Sequence, residues 1–235
     1  MGVKRPLSFM NTNPNYFILP AVIGILCAQT GQAGDANSTF TETPALLPVL
    51  AATQRSEAAG GDDKGDILHP GAREAGMSLG AALGLKIVTG HINHNLAIGS
   101  VRYGEVLGDT VGTSHWYCGH WKLIGELFAG GQYDPKPAYV VGVTPLLRYN
   151  FTTGTRWLPF VQGGFGPSVT DIGQPDLGTA FEFNIQGGPG VHYFWNQHSA
   201  ITVECRYFHL SNADIRPPNQ GVNACVFSIG NSWLF

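Results

Sequence analysis

Apolar and polar residues follow a regular rhythm from residue 72 to the end of the chain. Apolar stretches of about 10 to 14 residues are separated by short turn-rich pieces, a spacing typical of an antiparallel barrel built strand by strand. The pattern predicts eight strands, at residues 72–88, 95–107, 115–129, 138–150, 157–170, 180–195, 200–211 and 223–235. An even number of strands returns the C-terminus to the side where the first strand began, so we expect an all-β, eight-stranded antiparallel barrel.

The predicted eighth strand alternates in side-chain size. One set of alternate positions is bulky and mostly apolar: Cys225, Phe227, Ile229, Asn231 and Trp233. The other set is mostly small or polar: Val226, Ser228, Gly230, Ser232 and Leu234. Successive side chains of a strand point to opposite faces, so the bulky set would face outward and the small set would fill the interior. This arrangement suits a narrow membrane barrel.

The predicted seventh strand carries charge on one face only. Glu204 and Arg206 alternate with an apolar set that consists of Ile201, Val203, Cys205 and Tyr207. A charged pair opposite an apolar face belongs in the barrel interior, where the two charges can pair. Glu182 also falls on an interior position. We expect both glutamates to pair with Arg206 or Arg148.

Residues 1–36 predict a secretory signal peptide. Residues 4–28 have a basic start and an apolar core too short to span a membrane, and Ala33 or Ala36 ends a small-residue cleavage site. Residues 37–71 are small, polar and rich in Pro and Gly, which predicts a flexible leader. The predicted organisation is a signal peptide at 1–36, a leader at 37–71 and a barrel at 72–235.

Alternation alone does not separate a membrane barrel from a water-soluble β-sandwich, whose apolar face would point inward. We favour an outer-membrane barrel because of the export signal, the terminal Phe, which resembles an assembly signal of such barrels, and the aromatic residues at strand ends. These aromatic residues are Trp157, Phe194, Trp195, Trp233 and Phe235. The predicted location is the outer membrane of a Gram-negative cell.

Composition excludes some classes of function. A formal net charge of −3 gives no electrostatic reason to bind nucleic acid. The 32 glycines favour short strands and tight turns over long helices. Of four cysteines, Cys27 leaves with the signal peptide, and the odd number that remains argues against a disulfide framework. Cys205 and Cys225 could face each other across a hairpin or serve as small apolar residues.

A candidate catalytic pair lies in the sequence HLSN, at the end of the predicted seventh strand. His209 and Ser211 continue the alternate positions of this strand whose side chains point outward. Their Cα atoms are therefore about 6.6 Å apart on one face. A serine nucleophile needs a base within reach and donors for the oxyanion. Asn212 and the backbone N–H of Asp214 follow directly and could supply those donors. The alternative is a His and a Ser at a strand end near the membrane interface, without a catalytic role.

The stretch RYFHLSNADIRPPNQGVN (residues 206–223), followed by an alternating strand to a terminal Phe, resembles the outer-membrane lipid A 3-O-deacylase (PagL) family. Segments of that family and of its acyloxyacyl hydrolase relatives are also similar to RYGEVLGD (102–109), LPFVQGGFG (158–166) and FEFNIQGGPGVHYF (181–194). The resemblance covers roughly residues 72–235. It implies an eight-stranded barrel that removes the 3-O-linked hydroxyacyl chain from lipid A, at a site that faces the membrane.

The resemblance also implies a role for each residue of the motif. Ser211 would be the nucleophile and His209 the general base. Asn212 and the N–H of Asp214 would bind the oxyanion. The family's acidic third member stands twelve residues after the serine, where this chain has Asn223. An amide can orient the imidazole but cannot balance its positive charge, and the same exchange costs a serine protease about 10⁴ in rate.

Two hypotheses from different classes follow. The first is a serine esterase that acts on lipid A of lipopolysaccharide, with Asp214 as a candidate substitute for the missing carboxylate. The second is a catalytically weak or inactive barrel with a structural or lipid-binding role. Asn223 favours this second hypothesis, and the intact HLSN run disfavours it.

The expected partners are lipid A and outer-membrane lipids, with no nucleic acid, no cofactor and no metal. His91 and His94 fall in a predicted solvated loop and have no third ligand at a suitable spacing. The oligomeric state stays open, with a homodimer as one option.

Overall fold

Eight antiparallel strands close into a barrel. A computed structural model describes residues 67–87 and 92–235, so the predicted signal peptide and most of the predicted leader lie outside the described residues. The strands are β1 (Arg73–Gly84), β2 (Asn95–Val111), β3 (Gly119–Asp134), β4 (Ala138–Phe151), β5 (Trp157–Thr170), β6 (Phe181–Phe194), β7 (Ser199–Ser211) and β8 (Val222–Leu234). Each strand pairs with its sequence neighbours, and β1 also pairs with β8, which closes the barrel. The described residues include no helix that is long and apolar enough to cross a membrane.

The predicted fold class and the predicted number of strands are confirmed, and most boundaries lie close to the predicted ones. The largest difference is in β3, which is predicted at 115–129 and observed at Gly119–Asp134. The predicted turn residues Gly130 and Gly131 stay in the ladder with β4, because ladder hydrogen bonds need only the backbone. The turn is therefore reduced to residues 135–137.

Buried and exposed positions alternate along the strands, as the sequence predicts for β7 and β8. On β7, Ile201 and Val203 are exposed while Glu204 and Arg206 are buried. Large exposed apolar side chains occur on every strand of the barrel. So much exposed apolar surface is unfavourable in water and suits contact with lipid.

Buried charged side chains fill the middle of the barrel. This ionic layer, as we call it, consists of Glu74, Arg102, Lys122, Glu126, Arg148, Glu204 and Arg206. Lys122 donates to Glu74 at 2.5 Å, and Arg148 bridges Glu74 and Glu204 at 3.2 and 3.3 Å. Arg206 donates to Glu126 at 2.8 Å, and Arg102 pairs with Glu204. Buried charges are tolerated when they are paired, and every member of the layer has an opposite partner.

The predicted pairing of Glu204 with Arg206 and Arg148 is confirmed, since both arginines contact it. The matching prediction for Glu182 is wrong. Glu182 accepts a hydrogen bond from Thr179 Oγ1 at 3.0 Å and forms no ion pair with any described residue. Both glutamates face inward, but the register places them about eight residues, or about 27 Å, apart along the barrel wall.

Apolar clusters close the barrel at both ends. We call the end that carries the β7–β8 connection the upper end, and the other the lower end. The upper cluster includes Leu96, Phe128, Ile172, Leu177, Phe208 and Val222. The lower cluster includes Leu68, Val106, Leu158, Phe194 and Leu234. Leu68 belongs to the end of the predicted leader, so this end packs against the barrel. Phe194, one of the aromatic residues at strand ends that favour a membrane barrel, is buried and points inward.

Candidate active site

The candidate site lies on the outer surface, where the upper ends of β7 and β8 meet. His209 on β7 stands directly opposite Asn223 on β8. Directly opposed side chains are close enough to interact, and His209 Nδ1 lies 2.7 Å from Asn223 Oδ1. An amide oxygen only accepts, so Nδ1 carries the proton of the neutral ring. This tautomer leaves Nε2 as the basic nitrogen.

Asn223 is held by contacts on both sides of its amide. Although its parity is outward, it is only 4% exposed. Its Oδ1 accepts a second hydrogen bond, from Tyr207 Oη at 2.5 Å, and its Nδ2 donates to the carbonyl of Ile87 at 3.3 Å. The sequence did not predict Tyr207 or Ile87 as site residues. Tyr207 could have been predicted, because it lies two positions before His209 and its side chain points to the same outward face. No pattern in the sequence predicts that Ile87 lies next to β8.

A glycine provides the space that the imidazole occupies. Gly221, in the β7–β8 connection, has a φ of +75°. A Cβ at this position would lie 2.7 Å from His209 Cε1, so a side chain would displace the ring. The N–H of Gly221 donates to the carbonyl of Asp176, in the β5–β6 connection, at 3.2 Å. The position of the imidazole therefore depends on a neighbouring loop as well as on its own strand.

Ser211 is the last residue of β7 and shares the outward face with His209. No hydrogen bond joins the two side chains, both of which lie in the described part of the chain. Their Cα atoms are separated by about 6.6 Å, as for any residues two apart on a strand. In free enzymes, catalytic hydrogen bonds are often long and tighten when substrate binds. The two side chains therefore share the outward face of β7, but no hydrogen bond joins them.

A tight left-handed turn follows Ser211 and carries the candidate oxyanion donors. Ala213 and Asp214 have φ values of 54° and 61°, a region that residues other than glycine rarely adopt. The N–H of Asp214 donates to no described residue. Asn212 is buried, and its Nδ2 donates to the carbonyl of Arg216 at 2.8 Å, which uses one of its two amide hydrogens. The N–H of Asp214 therefore remains for an oxyanion. The second amide hydrogen of Asn212 has no acceptor among the described residues, but the residue is 0% exposed, so the turn must move before a substrate oxygen can reach it.

The Asp214 carboxylate does not reach the histidine. Its Oδ1 accepts from Asn219 Nδ2 at 2.9 Å, and Asn219 Oδ1 accepts from the N–H of Asn212 at 2.9 Å. Both bonds shape the turn. The geometry therefore gives Asp214 no part as a substitute carboxylate, and His209 is bonded to Asn223 instead.

His94 is buried at the upper end, so the prediction that it is a solvated loop residue is wrong. Its Nδ1 lies 2.7 Å from Gln132 Oε1, and its Nε2 lies 2.9 Å from Asp176 Oδ2. These contacts tie together three segments that are distant in sequence. His91 lies outside the described residues. Within 67–87 and 92–235, no group of three or more His, Cys, Asp or Glu could hold a metal ion.

A closed eight-stranded barrel with an apolar exterior, and with a His–Ser–Asn group at outward positions of two neighbouring strands, defines a class: the small outer-membrane barrels. Residues 100–232 match the family described as Lipid A 3-O-deacylase (PagL). The match spans more than half of the chain, and the chain belongs to this family. The barrel fold and the family together imply a location in an outer membrane.

Two curated relatives, both named lipid A deacylase PagL, are similar in sequence. The one from Pseudomonas aeruginosa is 27% identical over 109 residues, which are 45% of this chain and 60% of the relative. The one from Bordetella bronchiseptica is 30% identical over 121 residues, which are 47% of this chain and 64% of the relative. The chain thus spans less than two thirds of the length of either relative.

Solved structures include barrels of similar shape. Neisserial surface protein A (NspA) superposes with a TM-score of 0.50 at 12% identity, over 70% of this chain and 97% of that chain. At this identity the likeness supports the fold alone. The outer membrane enzyme PagL superposes with a TM-score of 0.47 at 17% identity, over 65% of this chain and 97% of that chain.

Proposed function

We propose that this protein is an outer-membrane serine esterase that removes the 3-O-linked hydroxyacyl chain from lipid A. The observation that carries the proposal is the His209–Asn223 hydrogen bond beside Ser211, on the lipid-facing wall of a member of this family. The names of the relatives supply the substrate class. A site on the exterior suits a substrate that is itself a membrane lipid, because such a lipid can reach the barrel wall by lateral diffusion.

The proposed reaction is acyl transfer through a serine ester. Ser211 Oγ attacks the ester carbonyl carbon while His209 Nε2 takes the hydroxyl proton. When the bond between the acyl carbon and the sugar oxygen breaks, His209 returns this proton to the departing 3-oxygen. Water then attacks the acyl-enzyme with His209 again as the base, which releases the hydroxy fatty acid and restores Ser211. Asn223 keeps the imidazole in the tautomer that each of these steps requires.

The turn after Ser211 is proposed as the oxyanion site. The N–H of Asp214 and the remaining amide hydrogen of Asn212 would donate to the oxygen that becomes negative in the tetrahedral intermediate. The loss of one such donor costs other enzymes about 10²–10³ in kcat. The scheme needs neither a metal ion nor a cofactor.

The proposal includes export. Removal of a signal peptide at 1–36, with residues 37–71 as a leader, would deliver the barrel at 72–235 to the outer membrane of a Gram-negative cell. A homodimer stays one option for its oligomeric state.

A second candidate function is a barrel that binds lipid without hydrolysing it. Two observations favour it: the neutral amide of Asn223 stands where the family has an acid, and no hydrogen bond joins the side chains of His209 and Ser211. Both functions use the same surface and differ only in chemistry.

The deciding experiment is mass spectrometry of lipid A from a Gram-negative host that expresses the wild type, Ser211→Ala or Ser199→Ala. Ser199 is the matched control, because it lies on the same strand and the same face at the lower end. We expect the wild type and Ser199→Ala to remove one 3-hydroxyacyl chain, and Ser211→Ala to remove none. A shift in gel mobility on heating shows that all three barrels are folded.

Unchanged lipid A with every folded variant would contradict the esterase proposal. An Asn223→Glu variant that gained activity would then identify the missing carboxylate as the cause. A variant that remained inactive would favour the lipid-binding function.

A further inference from the structure

We propose that Tyr207 is a positioning residue of this site: it orients the amide of Asn223 so that an asparagine can serve where the family has an acid. The inference rests on the proposed function. It starts from the two hydrogen bonds that converge on Asn223 Oδ1, from Tyr207 Oη at 2.5 Å and from His209 Nδ1 at 2.7 Å.

An amide can support the histidine in one orientation only. With Oδ1 toward His209, Nδ1 carries the proton and Nε2 is free to accept one from Ser211. Rotation of the amide by about 180° would put Nδ2 there instead, and Nδ1 would have to accept. The proton of the neutral ring would then sit on Nε2, where it prevents general-base catalysis. A carboxylate has no such wrong orientation, because both of its oxygens accept.

The contacts around Asn223 select the productive orientation. In the rotated amide, the Tyr207 hydroxyl would face Nδ2 and its own hydrogen would lose its acceptor. A donor that is left without a partner in a site shielded from water is costly. On the far side, the carbonyl of Ile87 now accepts from Nδ2 at 3.3 Å and would face Oδ1 instead. The hydroxyl and the carbonyl therefore both disfavour the rotated amide. The carbonyl belongs to the backbone and cannot be removed by a substitution, so the contribution of Tyr207 is the one that a variant can test.

The first test is a cycle of four variants: the wild type, Tyr207→Phe, Asn223→Asp and the double variant. The kcat for lipid A deacylation is measured in detergent micelles. We expect Tyr207→Phe to lower kcat about tenfold when residue 223 is Asn, or about 1.4 kcal/mol. With Asn223→Asp the same change should lower kcat less than about twofold, because a carboxylate cannot be misoriented. Tyr103→Phe is the control, since Tyr103 is exposed on β2 away from the site.

Equal losses in both backgrounds would show that Tyr207 acts only by packing, and would overturn the proposal. So would the absence of any loss when residue 223 is Asn.

The second test reads the tautomer directly and does not require activity. Nitrogen-15 NMR of labelled histidines distinguishes a proton on Nδ1 from one on Nε2, and loss of the signal in His209→Gln assigns it. We expect the Nδ1–H form in the wild type and a raised fraction of the Nε2–H form in Tyr207→Phe. An unchanged tautomer would overturn the proposal even in an active enzyme. A shifted tautomer in a protein that leaves lipid A intact would support Tyr207 and contradict the esterase.

Discussion

The ionic layer inside the barrel and the site on its outer wall are both polar, but they hold their side chains in different ways. In the layer, Glu204 alone contacts Arg102, Arg148 and Arg206, which come from three different strands. At the site, the neutral side chains of Tyr207, His209 and Asn223 meet across a single strand pair. Charges in the layer are compensated across the whole barrel, whereas the site depends on the orientation of one amide.

This difference separates stability from activity. An unpaired charge in a dry interior costs several kcal/mol, whereas a neutral hydrogen bond contributes about 1 kcal/mol. Changes in the ionic layer should therefore unfold the barrel without altering the chemistry of the molecules that remain folded. Changes around His209 should lower activity in a barrel that remains stable.

The largest effect on stability is expected for Glu204→Gln. The substitution keeps the shape of the side chain but removes the charge that faces three buried arginines, and breaking a buried ion pair costs about 3–5 kcal/mol. The urea midpoint of unfolding in detergent should fall accordingly, while deacylation per folded molecule should stay unchanged.

Glu105→Gln is the matched control for this loss. Glu105 lies 3.7 Å from Arg73, and both side chains are about half exposed, so their pairing contributes at most about 1 kcal/mol. Equal shifts of the midpoint in both variants would mean that the ionic layer has no special part in stability.

The next largest effect is expected for Gly221→Ala, and it should appear in activity. The new Cβ would lie 2.7 Å from His209 Cε1, so the ring must leave its place beside Asn223. We expect kcat to fall more than about tenfold, or by more than about 1.4 kcal/mol. The urea midpoint should also fall, because an alanine at a φ of +75° is strained.

Gly154→Ala separates this contact from backbone strain. Gly154 also has a positive φ, of +68°, but a Cβ there would meet nothing within 4 Å. It lies in the β4–β5 turn at the lower end. A similar loss of activity in Gly154→Ala would show that strain, and not the displaced imidazole, is responsible.

Much of the fold could be predicted because strand alternation is a local property. The order of residues such as Val203 and Glu204 in the chain decides that their side chains point to opposite faces of the strand. In a membrane barrel, one of these faces is the lipid-facing exterior and the other is the interior. The depth at which an inward side chain lies depends on the register between strands. For that reason the prediction for Glu204 succeeds while the one for Glu182 fails.

The candidate site could be predicted only in part, for the same reason. The outward parity of His209, Ser211 and Asn223 can be deduced from the sequence, and the register makes His209 and Asn223 direct neighbours. Tyr207 stands opposite Cys225 in the ladder and reaches Asn223 diagonally, a contact that parity alone does not specify. Ile87 comes from a connection at the other end of the chain, so its carbonyl cannot be anticipated.

The smallest effect on activity is expected for His94→Ala, which tests the link between the loops of the upper end and the site. His94 holds Asp176, and the carbonyl of Asp176 accepts from the N–H groups of Gln220 and Gly221 at 2.9 and 3.2 Å. Removal of the His94 imidazole should loosen this connection and let Gly221 move away from the ring of His209. We expect kcat to fall about fivefold, or about 1 kcal/mol, and the amides of residues 219–221 to exchange hydrogen faster.

His198→Ala, in the exposed β6–β7 turn at the lower end, should change neither quantity. Lost activity without faster exchange would mean that His94 acts on the site by another route, and that the loops of the upper end do not position the imidazole.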